Sequence, residues 1–123
     1  MKFVTFLVAV VAFAGHAVAQ HSHGSMKGPN GGPMQDVAGV HAELLVSGKV
    51  LTINLLDEDN KPVSAKGFSG TLLVVSGGSR ETVPLAVSGV SSLKGEAKNA
   101  VPAGANVSLV LKSVAGKSGQ AKF

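Results

Sequence analysis

The chain has 123 residues with eleven basic and seven acidic side chains, a formal net charge of +4, and no cysteine. Without cysteine there is no disulfide framework and no thiolate metal site, so a metal would need histidine, methionine, carboxylate or backbone ligands. The basic residues are scattered, and Phe68 and Phe123 are the only aromatic residues beyond residue 19. This composition argues against nucleic-acid binding and against carbohydrate stacking.

Residues 1–19 have the pattern of a secretory signal peptide. Lys2 supplies the positive charge, and residues 3–14 form an apolar run of about a dozen residues, shorter than the ~20 that a membrane span needs. Small residues ending at Ala19 predict cleavage after that residue, with residues 12–14 as a second candidate site. We therefore predict a periplasmic protein that has no membrane span after cleavage.

The remaining chain is the size of one domain and divides into two parts. Residues 20–38 are rich in Gly, Pro, Ser and His and follow neither hydrophobic period, which predicts an irregular segment. Residues 39–123 contain short apolar runs separated by turn residues, as in all-β domains. Strands are predicted at 40–46, 49–57, 69–76, 80–87, 90–96, 106–113 and 119–123, with a short piece near Val63. We predict a small antiparallel β-sandwich, immunoglobulin-like with seven or eight strands, and a closed small barrel is the alternative.

Two glycine-containing turns predict how the hairpins are paired. A two-residue turn at Ser47-Gly48 would place Val40 opposite Leu55, with the even-numbered residues of that strand facing the core. A second two-residue turn is predicted at Gly77-Gly78, between the third and fourth strands.

Candidate metal ligands are concentrated near the mature N terminus: His21, His23, Met26 and Met34. Imidazole with thioether suits copper, and imidazole alone suits zinc, nickel or Cu(II). Cleavage after Ala19 would let the α-amine of Gln20 chelate Cu(II) together with the next imidazole, whereas cleavage one residue later would make His23 the third residue of a square-planar site. A solvated tail that binds no metal is the alternative.

His41 lies on a predicted strand, two residues before Glu43. Side chains at this spacing share one face of a strand. We predict that His41 is a ligand and that Glu43 orients it, because histidine ligands commonly donate to a carboxylate. A histidine and a glutamate that are surface neighbours without function are the alternative.

The segment Gly28-Pro29-Asn30-Gly31-Gly32, a polar spacer and Val40-His41-Ala42-Glu43-Leu44 resembles part of the periplasmic adaptor subunits of heavy-metal efflux systems. It also resembles small exported bacterial proteins, and the resemblance covers roughly residues 28–65. It implies a periplasmic β-domain associated with copper, zinc or cobalt, with His41 and Glu43 matching the His-x-Glu-Leu portion. The 123 residues include neither the long helical hairpin nor the lipoyl-like domain of those adaptors, so a pump-adaptor role is not implied.

Other motifs predict no further chemistry. The acidic turn 57–61 is predicted to be a solvated strand connection, since Lys61, Pro62 and Phe68 stand where a calcium-binding EF-hand loop needs other residues. There is no Gly-x-Ser-x-Gly motif, and His41 is the single histidine of the predicted β-domain, so we predict no enzymatic activity.

The leading functional prediction is a periplasmic protein of metal homeostasis that binds or buffers a transition metal, copper first and zinc second. Its predicted partners are the metal ion and a metal-efflux or other envelope protein. The alternative is an interaction or structural module without metal, whose mark would be exposed apolar strand residues: Leu45, Val50, Leu73 and Val75. A carrier of small molecules ranks last, because so small a domain has little room for a cavity.

Overall fold

The structure is a computed structural model that describes residues 26–123. The predicted signal peptide, its cleavage site, His21 and His23 lie outside the described residues. Within residues 26–123 all regular structure is β, in nine strands: β1 Met26–Lys27, β2 Pro33–Val37, β3 Val40–Ser47, β4 Val50–Leu56, β5 Ser69–Ser76, β6 Ser79–Ser88, β7 Ser92–Glu96, β8 Asn106–Lys112 and β9 Ser118–Lys122. The predicted all-β class is confirmed, and the same range holds no helix long and apolar enough to cross a membrane.

The strands predicted from residue 40 onward are all present with small differences in their bounds, and the short piece near Val63 is a bridge between Leu56 and Pro62. The described part has nine strands rather than seven or eight, because β1 and β2 form inside the segment predicted to be irregular. β2 escapes detection because its two buried apolar residues, Met34 and Val37, lie on opposite faces and give no alternating pattern.

All neighbouring strands are antiparallel and form one curled, sandwich-like sheet in the order β1-β2-β3-β4-β7-β6-β5-β8-β9. β6 belongs to both halves of this sheet, since residues 79–85 pair with β5 and residues 86–88 pair with β7. The inner faces of the two halves contribute to a single core of aliphatic side chains, with these leucine and isoleucine residues fully buried: Leu51, Ile53, Leu55, Leu72, Leu93, Leu109 and Leu111.

The hairpin registers show where turn chemistry overrides the simplest prediction. The β3–β4 turn is Gly48-Lys49, so Ala42 rather than Val40 lies opposite Leu55. Gly48 has a φ of +57°, as a two-residue turn with glycine at its first central position requires. The partner strand slides by two residues, so every side chain keeps its predicted face, and the even-numbered residues Ala42 and Leu44 are buried in the core.

The β5–β6 turn lies at Gly77-Gly78 as predicted, with Leu72 opposite Val83. Strands β2 and β9, which are not paired, approach each other where the sheet curls round. A Cβ on Gly119 of β9 would lie 2.9 Å from the Ala38 nitrogen at the end of β2. Glycine is therefore needed at this contact between the two ends of the sheet.

Candidate functional site

Four of the six predicted site residues lie on one surface of β1, β2 and β3, facing away from the core. Met26 lies opposite Met34, and Met34 lies opposite Glu43, so the three form one cross-strand row. Asp36 lies opposite His41 in the neighbouring row of the same surface, two residues further along β2. We call the surface that carries these five residues the outer face.

The two methionines of the outer face differ in accessibility. Met26 is 43% exposed, whereas Met34 is 3% exposed. A thioether must reach the metal to act as a ligand, so Met26 can offer its sulfur at the surface while Met34 in this conformation cannot.

His41 lies beside the carboxylate of Asp36. Its Nε2 is 3.2 Å from Oδ1 of Asp36, and its side chain is 18% exposed. Together with Glu58, Gly39 and Val40 these two residues line a shallow surface pocket of about 180 Å³. The carboxylates of Asp36 and Glu58 in this pocket favour the approach of a cation, whereas Nζ of Lys117, 3.9 Å from the place of a Cβ on Gly39, opposes it.

The other ring nitrogen, Nδ1 of His41, is buried and has no hydrogen-bond partner within residues 26–123. The same residues contain no group of three histidine, aspartate or glutamate side chains placed to hold a metal ion. A metal at His41 would therefore need ligands in addition to the histidine, aspartate and glutamate side chains of residues 26–123.

Glu43 is fully buried, and its carboxylate accepts three hydrogen bonds. Oε2 accepts from the backbone nitrogens of Asn30 at 2.8 Å and Gly32 at 3.0 Å, and Oε1 accepts from Nδ2 of Asn30 at 2.8 Å. All three donors belong to the loop between β1 and β2. Glu43 therefore holds this loop, and the expectation that it orients His41 is corrected.

The loop Gly28–Gly32, which we call the glycine loop, is closed by two backbone hydrogen bonds. The nitrogen of Gly28 donates to the oxygen of Gly32 at 2.7 Å, and the nitrogen of Gly31 donates to the oxygen of Gly28 at 3.0 Å. A Cβ on Gly28 would overlap the Glu43 carboxyl group, and one on Gly32 would overlap the backbone oxygen of Leu44. The glycine-rich motif and the His-x-Glu motif are thus two halves of one structural unit.

The sequence reasoning missed Asn30, Asp36 and Glu58. Asp36 is separated from His41 by the two-residue turn Ala38-Gly39, and the pairing would follow from the sequence if β2 had been recognised. The contact of Asn30 with Glu43 spans thirteen residues and has no local signal.

A second surface feature is an apolar groove of about 350 Å³ at the other end of β3. Its lining includes Pro33, Val46, Pro102 and Phe123. Of the apolar strand residues predicted to mark an interaction module, Val50 is 36% exposed, and Leu45, Leu73 and Val75 are partly exposed.

No known protein family, curated protein or solved structure matches this chain.

Proposed function

We propose that this chain is an exported periplasmic protein that binds or buffers a transition metal, copper first and zinc second, on the outer face. The observation that carries the proposal is the direction in which the chain enters β1. Because β1 is antiparallel to β2 and Met26 lies opposite Met34, the N-terminal end of β1 is the end nearer to the row of Asp36 and His41. In the sequence, His21 and His23 therefore precede the end of β1 that is nearer to His41.

The lengths involved allow the two groups of histidines to meet. His23 precedes Met26 by three residues, and three residues of extended chain span about 10 Å. Neighbouring rows on one face of a strand are about 7 Å apart. The sequence separation therefore does not prevent the imidazoles of His21 and His23 from sharing a metal with that of His41.

The proposed ligand set follows from accessibility and ligand preference. His21, His23 and His41 would supply imidazole, and Met26, an exposed residue, would add a thioether sulfur as a soft ligand for Cu(I). Met34 is left out because it is buried. Asp36 would orient the His41 imidazole or neutralise the metal charge, and no catalytic role is proposed.

The test is a titration of the mature protein, its N terminus established by mass spectrometry, with Cu(I), Cu(II) and Zn(II) against competing chelators. His21→Ala with His23→Ala, and separately His41→Ala, should each weaken binding at least about tenfold, equivalent to ~1.4 kcal/mol. Gln120→Ala, on the exposed side of β9, is the control and should leave the affinity unchanged. Binding no tighter than that of a free peptide of residues 20–27 would refute the proposal.

The second candidate function is a metal-free interaction module of the cell envelope, and the apolar groove is the observation that favours it. Apolar surface of this kind marks contact sites in many proteins. If this function is correct, Val46→Asp in the groove should abolish partner recovery in the presence of a chelator while metal binding stays intact. Retention of the partner by this variant would exclude the groove.

A further inference from the structure

Three loops of this fold share one backbone design: Gly28–Gly32, Asp57–Lys61 and Ser113–Lys117. In each loop the nitrogen of the first residue donates to the oxygen of the fifth, at 2.7–2.8 Å. The nitrogen of the fourth residue donates to the oxygen of the first, at 3.0 Å. The loops therefore differ in their side chains and not in their main-chain closure.

In two of these loops the side chain of the first residue completes the turn. Oδ1 of Asp57 accepts hydrogen bonds at 2.9 Å from the nitrogens of the third and fifth residues, Asp59 and Lys61. The hydroxyl oxygen of Ser113 accepts one at 3.1 Å from the nitrogen of Lys117. Such side-chain acceptors are the usual way in which Asp and Ser stabilise turns.

The glycine loop begins with a residue that has no side chain, and Glu43 supplies the missing acceptor from another strand. Oε2 of Glu43 accepts from Asn30 and Gly32, the same third and fifth positions that Asp57 serves in its own loop. The φ of Gly28 lies outside the left-handed region. A side chain at position 28 is therefore excluded by the Glu43 carboxylate and not by the backbone conformation.

We propose that Glu43 acts in place of a Gly28 side chain and that this contact, the Glu43 cap, fixes β1 and its residue Met26 on the outer face. β1 has two residues, pairs with β2 and leads directly into the glycine loop. A ladder this short is not stable without support from neighbouring structure. Glu43 is thus a positioning residue for the proposed metal site and not a ligand, and this consequence rests on the proposed function.

A side-chain transfer tests the cap. Glu43→Ala should accelerate amide hydrogen exchange at Gly32 by at least about tenfold, equivalent to ~1.4 kcal/mol. Gly28→Asp alone should also disturb the loop, because the new side chain meets the Glu43 carboxyl group. The double variant Gly28→Asp with Glu43→Ala should recover protection, because aspartate at position 28 can serve the loop as Asp57 serves its own. A double variant no better protected than Glu43→Ala would overturn the proposal.

Copper affinity separates positioning from general stability. Glu43→Ala should weaken copper binding at least about threefold at a temperature where the variant is folded, a loss of ~0.7 kcal/mol, and the double variant should restore it. Ser113→Ala, which removes the side-chain acceptor from a loop of the same design elsewhere, should leave the affinity unchanged. Unchanged copper affinity in Glu43→Ala would refute the positioning role. If the wild-type chain bound no metal, the proposed function would fail, and the exchange data would still decide whether the cap exists.

Discussion

Replacing Glu43 by alanine tests how much stability one buried carboxylate contributes to the edge of the sheet. The change removes three hydrogen bonds and leaves the buried backbone nitrogen of Gly32 without an acceptor, whereas Asn30 is exposed and can bond to water. An unsatisfied buried donor costs about 1–3 kcal/mol, and truncation of a buried side chain adds a cavity. We expect a loss of ~2–4 kcal/mol in the free energy of unfolding.

Such a loss is a large part of the free energy of unfolding of a typical domain, which is about 5–15 kcal/mol. It should lower the midpoint of thermal unfolding by ~10–20 °C. Urea unfolding would measure it as a lower midpoint at unchanged slope. Glu43→Gln keeps one acceptor oxygen and the shape of the side chain, so its loss should be roughly half as large. A loss below ~1 kcal/mol for Glu43→Ala, or a larger loss for Glu43→Gln, would refute the role assigned to these hydrogen bonds.

Three further predictions concern separate parts of the fold. Met26→Leu should weaken Cu(I) binding several-fold in chelator competition and leave Zn(II) binding unchanged, since thioether sulfur suits the softer ion. Equal losses of affinity for both metals would argue against a sulfur ligand. Gly119→Ala should lower the free energy of unfolding, measured in urea, by ~1–3 kcal/mol, because the new Cβ would meet the backbone of Ala38. Lys122→Ala, at an exposed position of β9, is the control. An unchanged urea midpoint for Gly119→Ala would contradict the close approach of β2 and β9. Ala38→Asn should raise stability by roughly 1 kcal/mol, because Ala38 has a φ of +51° in a two-residue turn that favours asparagine; a loss of stability would indicate that the alanine side chain is held by packing.

Much of the strand pattern was predictable because it depends on the alternation of apolar and polar residues within each strand. In β4 the buried residues Leu51, Ile53 and Leu55 alternate with partly exposed ones, so both the strand and its core face follow from the sequence. The faces remained correct even where the β3–β4 turn was placed one residue early, because a two-residue slide preserves the alternation.

The outer face was only partly predictable, because its decisive contacts join residues that are distant in sequence or carry no pattern. The spacing of His41 and Glu43 correctly predicts a shared face. It cannot show that the glutamate accepts hydrogen bonds from the glycine loop, whose donors lie thirteen and eleven residues upstream. Glycine-rich sequence usually indicates a turn with no side-chain partner. The spacing therefore places His41 and Glu43 on one face correctly but does not identify the hydrogen-bond partners of Glu43.

β6, the strand shared by the two halves of the sheet, affects how the molecule unfolds and how easily proteases cleave it. One half cannot separate from the other without breaking one of the two ladders of this strand and opening the single core that both halves share. Partial opening is thereby coupled to complete unfolding, which keeps the population of half-open molecules small. Proteases cleave transiently open chains, so a cysteine-free protein with this arrangement would resist digestion to nearly the full extent of its global stability.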